Sequence, residues 1–117
     1  MSSSATGAGS HAEGICTQTT NAGEHAQGTY NLSTQNVTDD SGTVTTYGTL
    51  HSIGLGTNTA RKNTEETLFD GKKYILNVGG YNGTNASEAT DVATVINNTL
   101  SKTDTDSALS TTSVNPV

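Results

Sequence analysis

Thr67-Leu68-Phe69-Asp70-Gly71-Lys72-Lys73-Tyr74-Ile75-Leu76-Asn77-Val78 decides the fold class. Asp-Gly stands between two runs of β-formers, and the two central residues of a type I′ hairpin turn must accept positive φ, which Asp and Gly tolerate best. The stretch is therefore read as a hairpin with Tyr74, Leu76 and Val78 on one face of the return strand and Ile75 on the other. Gly79-Gly80 ends that strand, and Tyr81-Asn82-Gly83-Thr84 makes the next turn.

Toward the N-terminus the same chemistry continues. Thr29-Tyr30-Asn31-Leu32-Ser33-Thr34 alternates, with Tyr30 and Leu32 on one face. Asn36-Val37-Thr38 and Thr43-Val44-Thr45 flank Asp39-Asp40-Ser41-Gly42, a four-residue connection with Asp first and Gly where φ turns positive. The return strand runs on through Tyr47, Leu50, Ile53 and Leu55, and Gly48 and Gly54 mark bulges or close neighbours.

Toward the C-terminus the period changes. Asn85 and Glu88 have capping-box spacing, and Ala89, Val92, Ala93, Ile96 and Leu100 follow at three- and four-residue steps. This predicts one helix over residues 86–100, packed on the sheet by Val92, Ile96 and Leu100. Residues 101–117 read as a polar tail.

Residues 1–28 are rich in Gly, Ala, Ser and Thr, with Met1 and Ile15 as the large apolar side chains. They read as a flexible, extended arm, ordered only on an assembly. His11-Ala12-Glu13-Gly14 returns fourteen residues later as His25-Ala26-Gln27-Gly28, and this echo is read as coincidence, because a repeat array needs at least three units to bury a core. The expected organisation is thus an arm over 1–28, a β-rich domain over 29–100 ending in the helix, and a tail over 101–117. The fold class is mainly β: a small Thr-rich β-sandwich or barrel-like unit with one short helix.

Composition bounds the function. The 117 residues include 23 Thr, 12 Ser, 11 Asn and 13 Gly, while the hydrophobic fraction is 30%, against roughly 45–50% in an ordinary globular domain. Five Lys and Arg against eleven Asp and Glu give a net charge of −6, too little basic surface for a nucleic-acid partner. No apolar run approaches a membrane span, and the N-terminus has neither the basic start nor the apolar stretch of a signal peptide. Cys16 is the one cysteine, so neither an intrachain disulfide nor a paired-Cys zinc cluster can make up for the thin core. Oligomerisation or docking on a larger surface is the expected remedy.

The candidate chemistry is sparse. Gly54-Leu55-Gly56 lacks the third glycine of a phosphate loop, and Gly71-Lys72 lacks the rest of a P-loop. His11, Cys16, Glu24 and His25 carry metal-ligand atoms, yet their spacing fits no zinc motif, and they read as surface groups of the arm. Cys16 and His51 carry nucleophile and base chemistry without a nucleophile elbow. Asp39-Asp40 and Asp104-x-Asp106 read as turn formers rather than calcium ligands. Five Asn-x-Ser/Thr sequons, starting at Asn31, Asn36, Asn82, Asn85 and Asn97, are near the number that so much Asn, Ser and Thr produces by chance. No catalytic residue, cofactor-binding residue or metal ligand is assigned, and no enzyme is expected.

In its arm (1–28), its Thr/Ser/Asn-rich strands (29–56 and 67–78) and its polar tail, the chain resembles the small accessory proteins of bacteriophage virions, such as capsid decoration or cement proteins. The resemblance implies a non-catalytic structural protein, made in the host cytoplasm and located on the virion. It further implies a homo-oligomer, with a trimer favoured, bound to the major capsid protein or another virion protein, with no nucleic acid and no membrane. The alternative is a receptor- or glycan-binding module of a phage fibre or bacterial surface adhesin, with Tyr30, Tyr47, Tyr74 and Tyr81 as sugar-stacking platforms.

Overall fold

The computed structural model describes residues 2–100. The chain is mainly β with a short helix, as the sequence leads one to expect. Residues 1–28, however, are not an arm. β1 (Ser4–Ala5) pairs in parallel with β3 (Gln18–Thr19), matching Ser4 to Gln18 and Ala5 to Thr19. β2 (His11–Ala12) pairs in parallel with β4 (His25–Thr29), matching His11 to His25 and Ala12 to Ala26. Both registers are offset by fourteen residues, so the chain winds one turn of a short β-solenoid every fourteen residues. The echo His11–Gly14 and His25–Gly28 is this winding, not coincidence.

The third unit that a repeat array requires is present but displaced. β4 pairs in parallel with β7 (Thr49–Leu55), His25 against His51 and Gly28 against Gly54. His-x-x-Gly therefore occurs in three successive turns. The third copy, His51-Ser52-Ile53-Gly54, comes 26 residues after the second, because a hairpin of β5 (Val37–Thr38) and β6 (Val44–Thr46) is inserted before it. The glycines have a steric cause. A Cβ at Gly14, whose φ is 114°, would lie 2.1 Å from the carbonyl oxygen of Gly28, and one at Gly28 would lie 2.5 Å from that of Gly54.

The interior of the winding is polar. Thr17, Thr19, Asn21, Glu24, Asn31, Thr49 and Ser52 are buried there with Ala26. Asparagine makes this possible because its side chain carries one acceptor and one donor group, as a peptide does. Asn31 Oδ1 accepts from Gln18 N at 2.7 Å and its Nδ2 donates to Gln18 O at 2.9 Å, replacing strand pairing where the third turn leaves β geometry. Asn63 repeats the device one layer on, with Leu32 N donating to its Oδ1 and its Nδ2 donating to Leu32 O, both at 2.9 Å. Asn21 Nδ2 likewise donates to the carbonyls of Thr34 and Thr49.

Beyond β7 the sheet turns antiparallel, adding β8 (Asn63–Leu68) and β9 (Lys73–Ile75) in the order β2-β4-β7-β8-β9. The expected Asp70-Gly71 hairpin is present, with a correction to its turn. Gly71 has φ of 86° but Asp70 does not share the positive φ. Gly71 N donates to Leu68 O and Leu68 N to Lys72 O, a three-residue loop with Gly in the left-handed position of a bulge rather than a type I′ turn. The strand also ends at Ile75, so Leu76 and Val78 lie in the following turn. Likewise Thr29–Thr34 is not one strand, because β4 ends at Thr29 and Tyr30 has φ of 44°.

The helix is later than expected. Ala86–Glu88 is a single 3-10 turn, and Ala89 is extended. Thr90 N is drawn to Gly79 O, and helical residues 92–100 start after Asp91, whose carbonyl accepts from Val95 N. Val92 is half-buried, but Ile96 and Leu100 are exposed and do not pack on the sheet. It is Val95 that sits over the chain, against Gly79. The expected tail over 101–117 lies outside the described residues.

Candidate functional site

The outward face of the three parallel strands carries the chain's three histidines in one row. Residues two apart on a strand share a face. With Ala26 and Ser52 directed inward at 0% exposure, His25 and His51 point outward beside His11, and Gln27 and Ile53 form the next row. The parallel register holds the rings close: centroids are 5.2 Å apart between His11 and His25 and 5.2 Å between His25 and His51, the latter pair stacked at 27°.

Glu13, two residues beyond His11, lies over the first two rings. Its Oε1 is 3.3 Å from His25 Nε2 and its Oε2 is 3.8 Å from His11 Nε2. His51 sits deeper. Burial, then the neighbouring His25 and Lys73, push its pKa below the usual histidine value, against the pull of Glu65. Glu65 itself is held by Lys73 Nζ at 3.0 Å.

Of the four metal-ligand residues considered from sequence, the fold brings His11 and His25 together and separates the others. Glu24 is inside, its Oε1 accepting from Thr20 N, Asn21 N and Nδ2, and Ser33 Oγ, while its Oε2 is buried with no hydrogen-bond partner among the described residues. Cys16 lies in a turn with φ of 51°, beside the Tyr30 hydroxyl, whose pKa it raises. Arg61 braces this turn, donating to the carbonyls of Cys16 and Asn31 and lying 5.5 Å from the Tyr30 ring centre. The residue missed in the sequence is Glu13. Its signal was alternation: in His-x-Glu on a strand the two ligand side chains share a face.

The other sequence candidates resolve into structure. Gly54 and Gly56 are close-approach positions in the winding, Gly71 is the hairpin bulge, and Asp39 is a turn former. Asp39 Oδ1 accepts from Ser41 N, Ser41 Oγ and Thr43 N, and these bonds hold its pKa below the ordinary carboxylate value. Asp104 and Asp106 lie outside the described residues. Tyr74 and Tyr81 are buried and face each other at 5.7 Å, so neither is a stacking platform.

A groove of about 410 Å³ opens between the β5–β6 hairpin, β8 and the turn around Ala86. Exposed Tyr47 stands on its wall with Thr34, Thr45, Asp70 and Lys72, and Glu66 lies on its inner side. Glu66 Oε2 accepts from Asn63 Nδ2 at 2.6 Å and from the Tyr81 hydroxyl at 2.8 Å. Burial raises the pKa of Glu66 and the charge of Glu24 adds to the rise, while the two hydrogen bonds oppose it. No family model, curated protein or solved structure matches the chain. Among the described residues, no helix is long and apolar enough to cross a membrane.

Proposed function

We propose that the chain is a non-catalytic structural protein that works within a homo-oligomer attached to a larger particle, with capsid decoration as the setting its composition suggests. The observation that carries this reading is the inverted distribution of side chains. Among the described residues the buried hydrophobic ones are Ala26, Tyr74 and Tyr81, whereas Ile15, Leu50 and Leu55 are exposed. Those three stand on the outward side of the winding. Ile15 aligns with Thr29 and Thr29 with Leu55, and a bulge between Thr49 and His51 turns Leu50 outward with them. They stand at the two ends of one sheet face with the histidine row between them, and each loses contact with water when another protein surface covers that face. Sedimentation velocity across a wide concentration range is the test. An oligomer that dissociates in Leu55→Glu supports the reading, and a monomer at every concentration overturns it. Co-sedimentation with assembled capsids tests the setting.

The groove beside Tyr47 favours a second reading, a glycan-binding module, because an exposed aromatic ring among threonine hydroxyls and the Asp70 and Lys72 charges suits a sugar ring. Glycan-array binding that is lost in Tyr47→Ala would select it.

A further inference from the structure

We propose that His11, Glu13 and His25 bind one divalent transition-metal ion of the zinc or nickel class. Two imidazoles and one carboxylate are the donor set such ions prefer, whereas magnesium and calcium take oxygen ligands. The ligand atoms of the three residues all lie within 4.8 Å of one another. An ion with tetrahedral bonds of about 2.0–2.1 Å needs its donors about 3.3 Å apart. The contact between Glu13 and His25 is 3.3 Å and that between Glu13 and His11 is 3.8 Å. Small side-chain rotations close the remaining gap, since His11 and Glu13 are 65% and 58% exposed.

Backbone order provides what a surface cluster of this kind usually lacks. The parallel register places His11 and His25 side by side at one strand spacing, about 4.8 Å. Strand alternation brings Glu13 to the same face. On its other side the His25 ring is stacked on His51, which fixes the ring's plane without joining the ligand set. Glu65 and Lys73 pair with each other one strand beyond and leave Glu13 as the carboxylate for the ion. The remaining coordination positions face solvent, so the ion keeps water or accepts a donor from another molecule.

The test is calorimetric titration of the full, untagged, chelator-treated chain with zinc chloride, and separately with magnesium chloride. One zinc per chain and no magnesium uptake is expected. Loss of a supporting partner outside the ligand set already costs 10–100-fold in affinity, so His11→Ala, His25→Ala and Glu13→Gln should each weaken zinc binding by at least about tenfold. Glu13→Gln is exposed and nearly isosteric, which keeps the result readable if a histidine variant fails to fold. Ring-nitrogen spectra give a second measurement: zinc should shift the His11 and His25 nitrogens far more than those of His51. Failure of the wild-type chain to saturate with zinc, equal binding of magnesium, or undiminished zinc binding by Glu13→Gln would each overturn the proposal.

Discussion

The side chain of Asn31 stands against Gln18 where a neighbouring strand's backbone would otherwise stand, accepting from Gln18 N at 2.7 Å and donating to Gln18 O at 2.9 Å. Its Nδ2 also donates to Ser52 Oγ at 3.0 Å, so one amide links three turns of the winding. Asn31 is fully buried. Alanine there removes all three bonds and strands polar groups that water cannot easily reach.

Asn31→Ala should therefore cost about 2–4 kcal/mol, since each buried polar group left without a partner costs about 1–3 kcal/mol. Urea denaturation would measure it. Asn58→Ala, in the exposed Thr57–Ala60 turn, should stay within about 0.5 kcal/mol.

The glycine column gives a second contrast. Gly28 has φ of 98° and no room for a Cβ, whereas Gly42 has φ of 87° with open space around it. Gly42→Ala should cost about 1–2 kcal/mol for the left-handed backbone alone. Gly28→Ala adds a backbone clash at 2.5 Å and should lower the yield of folded protein or cost several times as much. Thermal melts of the two variants side by side decide this.

How much of this was legible in the sequence follows from which contacts are local. The Asp39–Gly42 turn is closed by Asp39 on residues two and four away, and the Asp70-Gly71 loop by neighbours of the same hairpin, so both could be read from composition. The winding could not. Its third His-x-x-Gly copy breaks the fourteen-residue spacing and keeps only His51 and Gly54, and its inward residues are threonine, serine and asparagine, which the usual reading assigns to loops. The histidine row was hidden for the same reason, because a parallel register is a non-local fact. The helix start was misplaced because Gly79 O captures Thr90 N, a contact that no capping pattern reveals.

Glu66 sets a pH dependence whose sign can be worked out. Its folded pKa is raised above the ordinary value of 4.5, chiefly by burial. The folded state thus holds the proton more tightly than the unfolded chain, so Glu66 favours folding at low pH and this contribution is lost as pH rises through the folded pKa. Asp39, with its lowered pKa, acts in the opposite sense and loses its contribution as pH falls below the usual carboxylate range. Glu66→Gln keeps an oxygen for Asn63 and Tyr81 and removes the charge. It should raise the melting temperature at neutral pH, with the gain shrinking toward about pH 4. Tyr81→Phe, which removes one of the two donors to the buried carboxylate, should cost about 1.5–3 kcal/mol at neutral pH.

Residues 1–28 supply the last test, because their sequence reads as a dispensable arm and their structure does not. They contribute β1 to β3 and all of β4 but Thr29, and with it four of the five residues matched in parallel to β7, from His25–His51 to Gly28–Gly54. Removing them would leave the β4-facing edge of β7 unpaired from His51 to Gly54 and expose inward Ser52. It would also take away Asn21, which holds the Thr34 and Thr49 carbonyls, and Glu24, which accepts from Ser33. A chain starting at residue 29 should accordingly be unfolded or aggregated, as an unpaired strand edge beside a polar interior has no stable alternative. In the intact protein, amides of Ala26 and Gln27 should exchange with protection factors comparable to those of Ser52 and Ile53, since both pairs belong to one ladder. Rapid exchange at Ala26 and Gln27 with slow exchange at Ser52 and Ile53, together with a folded truncated chain, would restore the arm and remove the solenoid.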